Sequence, residues 1–339
     1  MLKANRIFLF NLLQIFCILI CNAQSSQLWV TCPGSEGPGK GKNIVFVSGD
    51  EEYRSEEALP MLAQILAKRY GFTCTVLFAI DPRTGEIDPT NRSNIPGLSQ
   101  LATADLMVIF TRHRELPDSQ MKYIDDYLKA GKPVVGLRTA THAFHYINDS
   151  ADIYSKYDAE SRVKGWEDGF GKLVLGETWV NHHGIHKQEG TRGLINGIEQ
   201  NAQNPILNGV KDIWAPTDVY EVRNLGDAHV LIYGQSTDSL TPTSPVNLNK
   251  SIMPVAWTRN YRLPGGKSGR SFATTTGAAI DFLNEDLRRL LVNACFWATG
   301  LEKQTPARAN VDFITPFSPT MYGFGDFEKG TRPSKYEIK

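Results

Sequence analysis

Short apolar runs alternate with amphipathic segments between Asn43 and Leu137. This pattern restricts the chain's fold more than any other feature. "NIVFVS" (43–48), "FTCTVLFAI" (72–80), "LMVIF" (106–110) and Val134 to Leu137 are short, mostly apolar runs. They read as strands buried on both faces. Helical patterns lie between them. Ser55 is a candidate cap, Glu56 and Glu57 suit a first turn, and Leu59, Leu62, Ile65 and Leu66 recur at helical spacing. Pro117 to Ala130 places Met121, Ile124, Tyr127 and Leu128 on one face and stops at Gly131. Such alternation predicts right-handed crossovers, hence an α/β three-layer sandwich: a mainly parallel sheet with helices on both faces.

In a sheet of this kind ligands bind beyond the carboxyl ends of the strands. Three polar loops fall there: "GDEEYRSEE" after the first strand, "TRHREL" (111–116) after the third and "RTATHAFHY" (138–146) after the fourth. The second half is less regular. Residues 150–178 read as a helical insertion. Strand-like runs follow at 218–224, 228–234, 253–261 and 270–276, then a helix from Asn284 to Thr299. Residues 303–339 carry Pro306, Pro316, Pro319 and Pro333 and read as an extended tail, wrapped on the surface or partly mobile.

The N-terminus reads as a signal peptide over residues 1–23. Lys3 and Arg6 precede an apolar run from Ile7 to Ile20, and Cys21 and Ala23 offer small residues for cleavage before Gln24. An uncleaved anchor is the competing reading, but the run is short for a span. Ile20 and Phe16 precede Cys21 and Cys17 where a lipoprotein needs a small residue, so lipidation is not expected. The expectation is export, with residues 24–42 as a leader, one main domain over 43–302 and no membrane span in the mature chain. Cys32, Cys74 and Cys295 then remain, too few and too scattered for a disulfide framework or a zinc motif. One bridge stays open, without a spacing that chooses its pair. The 339 residues have zero formal net charge, which argues against a nucleic-acid partner. Homo-oligomerisation is left open.

The first loop offers Asp50, Glu51, Tyr53 and Arg54, beside Glu52, as substrate contacts. The alternative is a solvated helix start with dipole-favoured acids. Arg138, always charged, either clamps or polarises an oxygen or pairs with a loop acid such as Asp50 or Glu51. Thr139 is a substrate-contact candidate whose simplest role, like that of Thr141, is in the turn. Five of the seven histidines fall in two clusters, His142 with His145 and His182 with His183 and His186. His142, His182 and His183 are the proton-carrier candidates, and His113, His145 and Asn181 are further polar contacts. No cofactor is required. A divalent metal stays open and would need a carboxylate from Asp50, Asp218 or Glu221. Asp218 and Glu221, three apart on a strand, point to opposite faces and do not form one pair. Tyr53, Phe144 and Tyr146 sit where they can stack on a sugar ring.

In order, "SGDEEYRSEEALPMLAQIL", "HRELPDSQMKYIDDYLKAGKPVVGLRTATHAF", "WVNHHG", "NPILNGVKDIWAPTDVYEV", "MPVAWTRNY" and "GRSFATTTGAAIDFLNEDLRRLLVNACFWATGLE" resemble the ThuA-like family, known for trehalose utilisation. The resemblance spans about 43–301 and implies a class I glutamine-amidotransferase-like, flavodoxin-like fold acting on a small carbohydrate. Working amidotransferases of this fold carry a cysteine nucleophile on the turn that here reads Gly136-Leu137-Arg138-Thr139-Ala140, so thiolate acyl transfer is excluded. Many family members have histidine in place of Arg138, and Gly-His in place of Gly277-Ala278. The resulting expectation is hydrolysis or proton-transfer chemistry on a carbohydrate derivative. The alternative is a glycan- or protein-binding module without catalysis.

Overall fold

The computed structural model describes residues 27–147, 153–195 and 203–338. The expected signal peptide, with Cys17 and Cys21, lies outside the described residues. Among those described, the strands are β1 (Trp29–Cys32), β2 (Asn43–Gly49), β3 (Thr73–Leu77), β4 (Leu106–Thr111), β5 (Val134–Leu137), β6 (Thr191–Leu194), β7 (Trp214–Ala215), β8 (His229–Ser236), β9 (Met253–Arg262) and β10 (Ser268–Thr274). The α-helices are α1 (Ser55–Tyr70), α2 (Asp118–Lys129) and α3 (Glu285–Ala298).

All ten strands form one sheet in the order β1-β3-β2-β4-β5-β10-β9-β8-β6-β7. The inner block β3-β2-β4-β5-β10 is parallel and follows the second-first-third-fourth-fifth order of flavodoxin-like sheets. The outer pairings, β1–β3 on one side and β10–β9, β9–β8, β8–β6 and β6–β7 on the other, are antiparallel. The expected mainly parallel sheet is therefore corrected to a mixed one, with antiparallel pairings in the majority. The physical reason is connection. In the first half α1, a long connection with one 3-10 turn (Leu98–Ala102) and α2 carry the chain back to the start of the next parallel strand, whereas β8 to β10 follow one another without a helical crossover and so reverse direction.

Both faces are covered. Ile44, Phe46, Val76, Val108 and Val135 pack with α1 and α3, while their neighbours Val45, Val47, Leu77, Met107 and Val134 pack with α2. That alternation of adjacent residues explains why the inner strands read as continuous apolar runs.

Several local expectations are corrected. The leader is not outside the fold: Val30 and Cys32 are buried in an edge strand. The 150–178 insertion forms only short turns in its described part, Ser155–Tyr157 and Gly171–Leu175. Residues 218–224 join no sheet and make one isolated bridge, His182 with Tyr220. Ser55 does not cap α1 from outside. It is the first helical residue, after Arg54 in the left-handed region at φ 61°, and its Oγ accepts from the Asp50 amide at 3.0 Å. Cys32, Cys74 and Cys295 are free and buried. The tail is extended and packs closely, with Tyr322 and Val311 in the core. No helix among the described residues is long and apolar enough to cross a membrane.

Candidate functional site

The site grows from the carboxyl ends of β2, β4 and β5. Each strand runs into a residue with positive φ and a side chain: Arg54 (61°), His113 (50°) and Arg138 (40°). Left-handed backbone at non-glycine residues is costly and gathers where geometry serves a site. The reversal of strand order between β2 and β4 opens the crevice that these loops line.

Arg138 occupies the turn where amidotransferases of this fold carry their nucleophile, and it is fully buried. Its guanidinium lies between the rings of Tyr53 and Tyr220, 4.2 Å from each centroid. It donates to Asp218 Oδ1 at 3.0 Å, the Thr275 carbonyl at 2.7 Å and the Tyr53 hydroxyl at 3.2 Å. The acid partner is Asp218, not the Asp50 or Glu51 expected from sequence. Arg138 thus orients Asp218 from beneath the crevice instead of reaching a ligand.

Asp218 is the centre of the site. His182 Nδ1 donates to its Oδ2 at 2.6 Å and His186 Nδ1 to its Oδ1 at 3.1 Å. His186 Nε2 faces Glu52 Oε1 at 3.1 Å. Burial alone would raise the Asp218 carboxyl, but hydrogen bonds from both histidines and the Arg138 charge hold it well below the usual carboxylate range. Hydrogen bonds to Asp218 and Glu52 raise the His186 imidazole to about 9. Backbone bonds fix this geometry. The amides of His183 and Gly184 both donate to the Val219 carbonyl, and the Glu221 amide donates to Asn181. Gly184 favours the close approach, since a Cβ there would lie 3.0 Å from Asp218 Cβ and 3.1 Å from the Val219 nitrogen, tight enough that these neighbours would have to give way.

A cleft of about 40 Å³ opens above this cluster, lined by Glu52, Tyr53, Arg112, His113, His142, Trp179, His182 and Tyr220. It has room for a water or a small group. Burial, then the charges of Arg112 and His145, depresses the His113 imidazole to about 3. Burial, then His113, Arg112 and Arg138, holds His142 well below its ordinary value. Both are neutral near pH 7. A larger hollow of about 490 Å³ lies at Trp214, Leu240, Pro242, Ile280 and Met321, but among its lining residues Asp212 and Asp281 are the only titratable side chains.

The remaining expected site residues are spread more widely. Asp50 is fully buried, and its Oδ1 accepts from the amides of Glu52 (2.7 Å) and Tyr53 (2.6 Å) while Thr139 donates to its Oδ2. Asp50 and Thr139 therefore brace the loop and do not reach the cleft. Glu51 bridges Arg112 (2.5 Å) and buried Arg114 (2.6 Å). Arg54 is buried under the tail, donating to Thr320 Oγ1 at 3.1 Å. His183 turns outward to the Ser251 carbonyl at 2.8 Å. His145 faces Asp158 at 3.2 Å, with its ring 5.3 Å from that of His113. Asn181 is exposed beside His182. Phe144 is core and Glu221 pairs with Arg223, outside the cluster. Sequence reasoning did not place Trp179, Tyr220 or Arg112 in the site, and it named Asp218 only as one of three possible metal carboxylates and Glu52 only as part of the acidic loop. His186 carried a signal in its histidine-rich run.

The parallel core has the flavodoxin-like order, with a histidine–carboxylate cluster at the strand-order reversal and no cysteine on the elbow, and so defines an α/β protein of this fold class. The family model "ThuA: Trehalose utilisation" matches residues 43–298, and the chain belongs to this family. Among solved structures it is similar to a ThuA-like protein of Parabacteroides merdae, at 16% identity and TM-score 0.47 over 77% of this chain and 91% of that one. A cytoplasmic protein of Salmonella typhimurium matches at 12% identity and TM-score 0.41, over 75% of this chain and 98% of that one. No curated protein matches the chain.

Proposed function

We propose that the protein acts on a carbohydrate or carbohydrate derivative, by hydrolysis or proton transfer, at the cleft above Asp218. The observation that carries this reading is the fixed pairing of Asp218 with His182. An ionised carboxylate only accepts, so His182 Nδ1 keeps its hydrogen and Nε2 is left to exchange a proton with a ligand oxygen. Family membership supplies the carbohydrate class. Because the cleft is small, the sugar binds across its mouth, with Trp179 as the stacking face and a hydroxyl or carbonyl reaching inward. The Lys3–Ala23 segment supports export, which detection of a mature N-terminus at Gln24 in an extracytoplasmic fraction tests.

The experiment is a panel of oxidised and unoxidised disaccharides, trehalose included, assayed with purified protein. Turnover that His182→Ala removes and His183→Ala keeps supports the reading. Saturable binding without turnover overturns it in favour of a glycan-binding module.

A further inference from the structure

We propose that His182, His186 and Asp218, with Glu52 beside them, form a binding site for a first-row divalent transition metal of the zinc type. The inference rests on the location of the site proposed above and changes what that site carries.

The donor atoms are already gathered. One ligand atom from each of His182, His186 and Asp218 lies within 4.8 Å of the others. Donors around one tetrahedral zinc ion at about 2.1 Å lie about 3.4 Å from one another, so closing the set takes a shift of up to about 1.4 Å, within the reach of side-chain rotation. Two imidazoles and carboxylates, without a thiolate, suit zinc and its neighbours better than magnesium or calcium.

The support around the donors matches what metal sites need. The Asp218 carboxylate is oriented by buried Arg138 at 3.0 Å. The His182–His186 loop is pinned on Val219 by two backbone bonds. Glu52 is buried and has its Oε1 3.1 Å from His186 Nε2, within reach as a further donor. His182 also lines the cleft, which leaves one side of the cluster open for a water ligand. That is the open coordination position of a catalytic site.

Loading displaces the protons that the two imidazoles now share with Asp218 and Glu52. An ion held there would supply Lewis-acid chemistry and lower the pKa of a bound water, with His182 serving as its ligand instead of as the proton carrier.

The test uses the full mature chain, stripped with chelator and titrated with zinc alone. The expected result is one ion per chain by elemental analysis after dialysis, and a melting temperature that climbs with zinc concentration. Cobalt in place of zinc should give a visible absorption band. His182→Gln should weaken zinc binding by more than about 100-fold, whereas His183→Gln, whose ring faces Ser251, should leave it unchanged. His186→Gln repeats the test if it folds. Substoichiometric zinc in the wild type, or undiminished binding in His182→Gln, overturns the metal site. Metal-free turnover of a sugar sinks this inference and leaves the proposed function standing. Zinc binding without any turnover does the reverse.

Discussion

Arg138 and Asp218 form an ion pair 3.0 Å long in which both side chains are fully buried. Removing one partner leaves an uncompensated charge in a closed interior. Arg138→Met should destabilise the protein by about 3–5 kcal/mol. Arg138→Lys should not rescue it, because one ammonium cannot reach Asp218, the Thr275 carbonyl and Tyr53 together. The double variant with Asp218→Asn should lose less than the sum of the single changes. Urea denaturation of the four proteins measures this, and strict additivity would count against the pairing.

The neutral pair His113 and His142 makes stability fall in acid. Their folded values lie below the ordinary histidine value of 6.5, so below that pH the unfolded chain takes up protons that the folded chain refuses. Stability is full above about 6.5 and declines as pH falls toward about 3. His142→Gln should flatten part of that slope. Denaturation midpoints between those limits give the readout, and an unchanged slope would contradict the assignment.

Asp50 offers a contrast between two substitutions. Burial, then the Glu51 charge, raises its carboxyl to about 6, against hydrogen bonds from Thr139 and two amides. A raised carboxyl is stabilising while protonated, and that contribution fades as pH rises through the interval from about 4 to 6. Asp50→Asn keeps an acceptor for the Glu52 and Tyr53 amides and should change neutral-pH stability by less than about 1 kcal/mol. Asp50→Ala leaves those amides and Thr139 unpaired and should cost about 1–3 kcal/mol. Equal losses in thermal unfolding would refute this account.

Gly184→Ala drives a methyl group against the Asp218 Cβ and the Val219 nitrogen. The expected cost is about 1–3 kcal/mol, with the His182–His186 loop pushed off Asp218. Calorimetry reads the first effect, and the histidine ring resonances read the second.

Tyr322 closes the site from the tail. Its ring lies 5.2 Å from Tyr53 and 5.3 Å from His186, and its hydroxyl donates to the Pro216 carbonyl at 3.2 Å. Tyr322→Ala should cost about 3 kcal/mol and expose His186 to solvent. A melting temperature within a degree of wild type would show the tail to be a passive cover.

The parallel half of the fold was legible because its strands are short and apolar and two of the connections carry amphipathic helices that stop at Gly71 and Gly131. Those signals are local, and β2 to β5 with α1 and α2 fall where periodicity put them. The antiparallel half was not, since direction depends on which strand a run pairs with. Val30 and Cys32 gave no sign that an edge strand was waiting for them.

The histidine-rich run announced itself by composition, and the loops after β2, β4 and β5, read as polar rims, supply Glu52, Arg112, His113 and His142 to the cleft. What sequence could not give was Asp218 as their common partner, 36 residues from His182. It could not distinguish Glu52, turned inward, from Glu51, tied to two arginines. The sequence by itself determined the secondary structure of the core and the absence of a thiol on the elbow, both properties of neighbouring residues. Only the tertiary structure decided which charges meet. Ion pairs and hydrogen bonds depend on distance in space, and the fold sets that distance across stretches of chain whose spacing carries no record of it.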